Sequence, residues 1–281
     1  MPRDAQKVKV LFMTRLSGLR PSSIFIFTVL LAIAPDICMG EAPGPAVAAF
    51  DRYLAEVDAR MARQHQSAGE FLAPAGGPDV ERRLRNADLI VERLAPTSAL
   101  DLKGAMLYHW RGTAFAAGAT AADFERLMRD YAAYPQRFAP EVTQTRVVSQ
   151  KGDRYQIVMR VRQHHVITVV MDTSYDVTFG RLDPRHGYSI SRSTQVSEID
   201  SPGTSHERVL SAKDEHGFLW RLTTYWSYEE RDGGVYMQIE SISLTRSIPA
   251  GLGWAVGPFV ESVPRESLEF TLRSVCNALR K

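Results

Sequence analysis

Cysteine is scarce: the 281 residues contain two, Cys38 and Cys276. Cys38 lies in a stretch that reads as removable, so the mature chain keeps one thiol, with no internal disulfide and no cysteine metal cluster. An excess of either charge is also missing. Lys and Arg number 34 against 32 Asp and Glu, a formal charge of +2, and no block of one sign occurs. A nucleic-acid groove and an acidic tail are therefore not expected. The chemical signatures are missing as well. There is no His-Glu-x-x-His and no spaced cysteine pattern for a metal, and no Gly-x-Ser-x-Gly elbow. Gly251-Leu-Gly253 lacks the strand and spacing of a dinucleotide loop and reads as a bend before a helix. No metal, no cofactor and no catalytic residue is assigned.

One long apolar run is present, Ile24 to Ala34, preceded by Arg15 and Arg20 and followed by Pro35. It falls short of the roughly 20 residues that span a bilayer, and reads as the core of an export signal over residues 1–40. A start at Met13 gives a more usual length. Cys38 and Gly40 supply the small residues before a cut that leaves Glu41 first. The mature chain is then periplasmic or extracellular; the alternative is a membrane anchor left uncleaved. A lipoprotein reading is weaker, because Ile37 precedes Cys38.

Residues 41–86 form a lead-in. Val47, Phe50, Leu54, Val57 and Met61 recur at helical steps, opposite Asp51, Arg52, Glu56, Asp58 and Arg60. The stripe reads as a helix packed on its own domain, with docking of residues 45–66 on a membrane surface or partner as the alternative. Ala73-Pro-Ala-Gly-Gly-Pro78 reads as a linker.

From residue 87 to 281 the order is strand, helix, strands, long helix. Asp88–Leu94 and Gly104–Ala116 read as strands, and Thr120 caps a helix over Ala121–Tyr131. Antiparallel strands follow over Val142–Gln150, Arg154–Gln163, His165–Arg181, Tyr188–Asp200, Gly217–Glu230 and Val235–Ser247. The last helix divides at Pro264, which suits a first helical position. Leu268, Leu272, Val275 and Leu279 form its buried stripe. A sheet of about seven strands must curl to cover an apolar face, with this helix as the filler.

A two-residue turn at Asp232-Gly233 sets a register. Tyr228 faces Met237, Trp226 faces Ile239, Thr224 faces Ser241, Leu222 faces Ser243, and Trp220 faces Thr245. This is the apolar side, with large residues at both ends and hydroxyls at its waist. Either a ligand or the C-terminal helix fills that waist. The expected lining is Tyr155, Ile157, Met159, Trp220, Leu222, Thr224, Trp226, Tyr228, Met237, Ile239, Ser241, Ser243, Phe259, Leu268 and Leu272.

Several stretches carry a family likeness: His109-Trp-Arg-Gly112, Thr194-Gln-Val-Ser-Glu-Ile199, Phe218-Leu-Trp-Arg-Leu222, Glu229-Glu-Arg-Asp-Gly-Gly234, Ser243-Leu-Thr-Arg246, Ile248-Pro-Ala-Gly-Leu-Gly-Trp254 and Pro264-Arg-Glu-Ser-Leu268. In this order, from about Ala105 to Leu279, the chain resembles the SRPBCC superfamily, the helix-grip fold of START lipid-transfer domains, aromatic cyclases and plant pathogenesis-related allergens. It looks most like bacterial START-like proteins of unknown function. The resemblance implies an α+β helix-grip fold, and an apolar cavity for a lipid, sterol, quinone or polyketide. It does not imply one chemistry.

The charged strand residues Arg111, Arg192, Arg221, Asp172, Asp176 and Glu240 read as cross-strand ion pairs on the outer wall. The alternative is an arginine that holds a ligand's carboxylate or phosphate. His109 reads as a strand residue with a satisfied hydrogen bond. The leading expectation is a monomeric, exported binder or carrier of an apolar small molecule. The rivals are a cyclase or dehydratase using the same cavity and an envelope interaction module.

Overall fold

In a computed structural model, the described residues are 40–73, 78–94, 100, 102–164, 168–247 and 253–280, with the side chains of 78 and 253–261 outside the description. All lie in one compact unit, Met39–Lys281. The helices are α1 (Gly44–Gln64), α2 (Pro78–Arg85), α3 (Ala121–Arg129), α4 (Tyr134–Arg137) and α5 (Gly253–Leu279). The strands are β1 (Ile90–Leu94), β2 (Ala105–Ala117), β3 (Val142–Lys151), β4 (Arg154–His164), β5 (Thr168–Asp183), β6 (His186–Asp200), β7 (Arg208–Val209), β8 (Arg221–Arg231) and β9 (Gly234–Arg246).

The strands form one curved, unclosed antiparallel sheet of nine strands, in the order β1-β2-β9-β8-β6-β5-β4-β3 with β7 on β6. Eight of the nine correspond to strand segments read from the sequence, and the two-residue β7 is the addition. With α5 packed on one face, the architecture is the α+β helix grip that the START-like resemblance implies.

Both faces of the sheet are covered. On the inner face, Leu268, Leu272, Val275 and Leu279 of α5 join Phe124, Leu127 and Met128 of α3 in the main core. A capping box starts α3: Thr120 Oγ1 accepts from the Asp123 N–H, and the Asp123 carboxylate accepts from the Thr120 N–H, both at 3.1 Å.

On the outer face, α1 lays Phe50, Tyr53, Leu54, Val57 and Met61 against Leu107, Tyr225, Ile242 and Leu244. The helix packs on its own domain, and its free surface is the charged one. Burying the Phe50 side chain alone contributes roughly 1.5–3 kcal/mol.

Three sequence expectations change. First, α2 was unforeseen: Pro78 opens it, Asp79 and Glu81 occupy its first turn, and three arginines follow, the end signals of a short helix. Residues 74–77, the middle of the expected linker, lie outside the described residues. Second, α5 runs unbroken through Pro264 from Gly253 rather than starting there. A proline inside a helix costs one backbone hydrogen bond, which tertiary packing on the sheet overrides. Third, Trp220 leaves the expected face. Strand β8 begins one residue later, and the Trp220 N–H donates to the Leu244 carbonyl at 2.8 Å. Its side chain joins the α1 cluster, where the indole N–H donates to the Gly40 carbonyl at 2.8 Å.

Candidate functional site: the inner face of the sheet

The β8–β9 register is the one that the Asp232-Gly233 turn predicts. Both residues have positive φ, 56° and 75°, as a type I′ turn requires. Tyr228 pairs with Met237, Trp226 with Ile239, Thr224 with Ser241 and Leu222 with Ser243.

Following this register outward divides the inner face into two parts. One part is packed. Trp226, Tyr228, Met237, Ile239, Tyr155 and Ile157 are all buried in the main core with Leu268 and Leu272, and Met159 and Leu222 lie partly buried against it. Phe124 of α3 tilts over Trp226 and Tyr228, with ring centroids 5.4 and 4.5 Å away.

The other part is half-open. Trp110 of β2, Ser241 of β9, Thr224 of β8 and Ser191 of β6 stand side by side across four strands, each half-buried. The next row, Tyr108, Ser243 and Leu222, is closed in, with Tyr108 and Ser243 buried. Beside it, Ser193 Oγ accepts from the Leu222 N–H at 2.8 Å. Small neutral hydroxyls thus cross the floor between aromatic and aliphatic walls. The Trp110 indole N–H is buried with no hydrogen-bond partner among the described residues, a state that costs roughly 1–3 kcal/mol unless something accepts from it.

Of the expected lining residues, Thr224 and Ser241 fall on this floor, Ser243 lies buried in the row beside it, and the large apolar ones fall in the packed part. Trp220 lies on the opposite face, and the side chain of Phe259 is outside the description. Trp110, Ser191 and Ser193 were not foreseen. A signal for the serines existed: Ser189, Ser191 and Ser193 alternate with Ile190 and Arg192, one polar face of a strand. Trp110 gave none, because its unpaired nitrogen is a product of packing.

Histidine–carboxylate pairs occur away from this floor. His109 Nε2 lies 2.8 Å from Glu240 on the outer face. His186 Nδ1 lies 2.8 Å from Asp183, and its ring is tilted against Phe71 with centroids 5.1 Å apart. His216 Nδ1 lies 2.7 Å from Glu198, whose carboxylate also accepts the backbone N–H groups of His216, Gly217 and Phe218. Burial alone would raise the Glu198 pKa, but these hydrogen bonds hold it below the usual carboxylate value. It anchors a loop. Among the described residues no group of three His, Cys, Asp or Glu side chains is placed to hold a metal.

No family model matches the chain, and no curated protein does. Similar solved structures include a STAR-related lipid transfer protein from Xanthomonas axonopodis, 19% identical, with 65% of this chain and 97% of that one covered and a TM-score of 0.42. A START superfamily protein from Mycobacterium smegmatis is 13% identical over 62% of this chain and 96% of its own, with a TM-score of 0.38. The human StarD13 lipid transfer and protein localization domain is 9% identical over 72% and 94%, with a TM-score of 0.40.

Proposed function

We propose that this chain binds an apolar small molecule on the inner face of its sheet and acts as an exported binder or carrier. The observation that carries the reading is the row Trp110, Ser241, Thr224 and Ser191, half-buried between apolar walls. A fully packed core has little use for four adjacent polar groups. A lipid, sterol, quinone or polyketide offers both the apolar surface and the few oxygens that such a floor accommodates. Export rests on the run Ile24–Ala34, and no described helix is long and apolar enough to cross a membrane.

The test is native mass spectrometry of the chain beginning at Glu41 after incubation with a lipid extract of its host. The expected result is a bound species that is lost in Thr224→Trp, which fills the waist of the floor. A protein that emerges empty from every extract, and does not quench or displace an apolar fluorescent probe, would overturn the reading. Cell fractionation tests export separately; a full-length, cytoplasmic product would remove that part alone. The cyclase or dehydratase reading asks for a carboxylate and a histidine in reach of one another on this floor, and the pairs described above lie elsewhere.

A further inference from the structure

A second recess lies on the other side of the sheet, between α1, the segment after it, and strands β1 and β2. Its volume is about 780 Å³, within the range of roughly 300–1,000 Å³ typical of small-molecule sites. Tyr53 and His109 form its floor, and Val57, Leu72, Ala73 and Leu94 give it apolar walls.

A buried carboxylate organises the floor. Glu240 is 1% exposed, with its oxygens 2.5 and 3.1 Å from the Arg60 guanidinium, 2.8 Å from His109 Nε2 and 3.6 Å from Arg111. His109 Nδ1 in turn meets the Tyr53 hydroxyl at 2.7 Å. Two guanidiniums face this buried carboxylate, Arg111 at 14% exposure and Arg60, more open to water, at 36%.

Other charges lie farther out. Glu92, which pairs with Arg111 at 2.8 Å, is 45% exposed, and Glu56 and Glu70 stand in water at the rim, where screening weakens them. Arg63, also at the rim, has no ion pair among the described residues.

We propose that this recess is a binding site for a small organic carboxylate. Its anionic end sits between Arg60 and Arg111, above His109, and its apolar end lies against Leu72, Ala73 and Leu94. A guanidinium fork matches a carboxylate in shape and charge. Three arginines, Arg60, Arg63 and Arg111, line the recess, and a single carboxylate can meet the guanidinium edges that face it. An amine would face arginines there, and an inorganic phosphate would leave the apolar wall unused. The site is independent of the inner face and stands whether or not that face binds a ligand.

The test follows the His109 ring by NMR while benzoate, acetate or inorganic phosphate is added to the folded chain from Glu41. Benzoate should produce a saturable shift, acetate a weaker one and phosphate the least. Arg111→Gln should weaken benzoate by about tenfold, the loss of one charge-assisted hydrogen bond. Ala73→Trp, which fills the recess without touching the polar floor, should abolish the shift; Leu94→Trp serves if that variant does not fold. Absence of a saturable shift, its survival in the filled variant, or phosphate binding as tightly as benzoate would each overturn the proposal.

Discussion

Gly112 of β2 lies directly beneath Leu272 of α5. A Cβ on Gly112 would stand 2.5 Å from Leu272 Cδ1 and 3.1 Å from Leu268 Cδ2. The glycine is what lets the C-terminal helix settle onto the sheet, and Leu272 is wholly buried there. Gly112→Val should therefore destabilise the chain by about 1–3 kcal/mol through overpacking. Gly112→Ala should cost less, because the atoms it meets are ends of flexible side chains. Urea denaturation of both variants reads the difference; equal stability of Gly112→Val and the parent would refute the tight contact.

Glu240 ties α1 to the sheet through Arg60 and His109. Burial alone would raise its pKa, but the hydrogen bonds from His109 and Arg60 outweigh it and hold the carboxyl below its usual value. A depressed folded pKa contributes stability above the unfolded value, and this is lost as pH falls through the folded one. Glu240→Ala should cost about 2–4 kcal/mol at pH 7, somewhat under the roughly 3–5 kcal/mol of a broken buried pair, because Arg60 can turn to water. The cost should shrink in acid, where the parent has lost the ion pair. Chemical denaturation at pH 7 and pH 3 gives both numbers.

His65 is buried beneath the end of α1. Its Nε2 meets the Ser227 hydroxyl at 2.7 Å, and its ring stacks on Tyr188 at 4.1 Å. Burial, helped by the Arg60 charge, pushes its pKa down to about 4 from the ordinary 6.5. The neutral ring belongs to the folded state, so its contribution is present above pH 6.5 and is lost as pH falls toward 4. About 2–3 kcal/mol should disappear across that window. His65→Gln should flatten this part of the stability–pH curve while lowering stability at pH 7.

Glu141 has the opposite sign. Its carboxylate accepts from Ser267 of α5 at 3.3 Å, and Gln163 of β4 donates to the same serine hydroxyl at 3.1 Å. Burial raises its pKa to about 7, only partly offset by the Ser267 bond. The folded state prefers the protonated acid, so stability falls as pH rises from the unfolded value near 4.5 to about 7. Glu141→Gln should raise stability at pH 8 by about 1–2 kcal/mol, allowing for partial solvent screening, and leave it nearly unchanged at pH 4. Melting curves at the two pH values would expose the wrong sign at once.

Much of the fold was legible because its signals are local. The Asp232-Gly233 turn, read with the alternation of Trp226, Tyr228, Met237 and Ile239, fixes the pairing of β8 with β9 residue by residue. The hydroxyl waist of Thr224, Ser241 and Ser243 was legible for the same reason. Its continuation to Ser191 and Trp110 was not, because it depends on β8 pairing with β6 and β9 with β2 across long stretches of chain. The recess over His109 was invisible, since its wall comes from α1, far away in sequence.

The sequence by itself determined the strands, their facing sides and the amphipathic stripe of α1, because side-chain periods of 2 and 3.6 follow from backbone geometry alone. Tertiary structure decided what covers each face. It carried α5 through Pro264, moved Trp220 to the outer layer and buried Glu240 under α1. Each outcome turns on a balance of packing, desolvation and hydrogen bonding between segments that meet only in the folded chain.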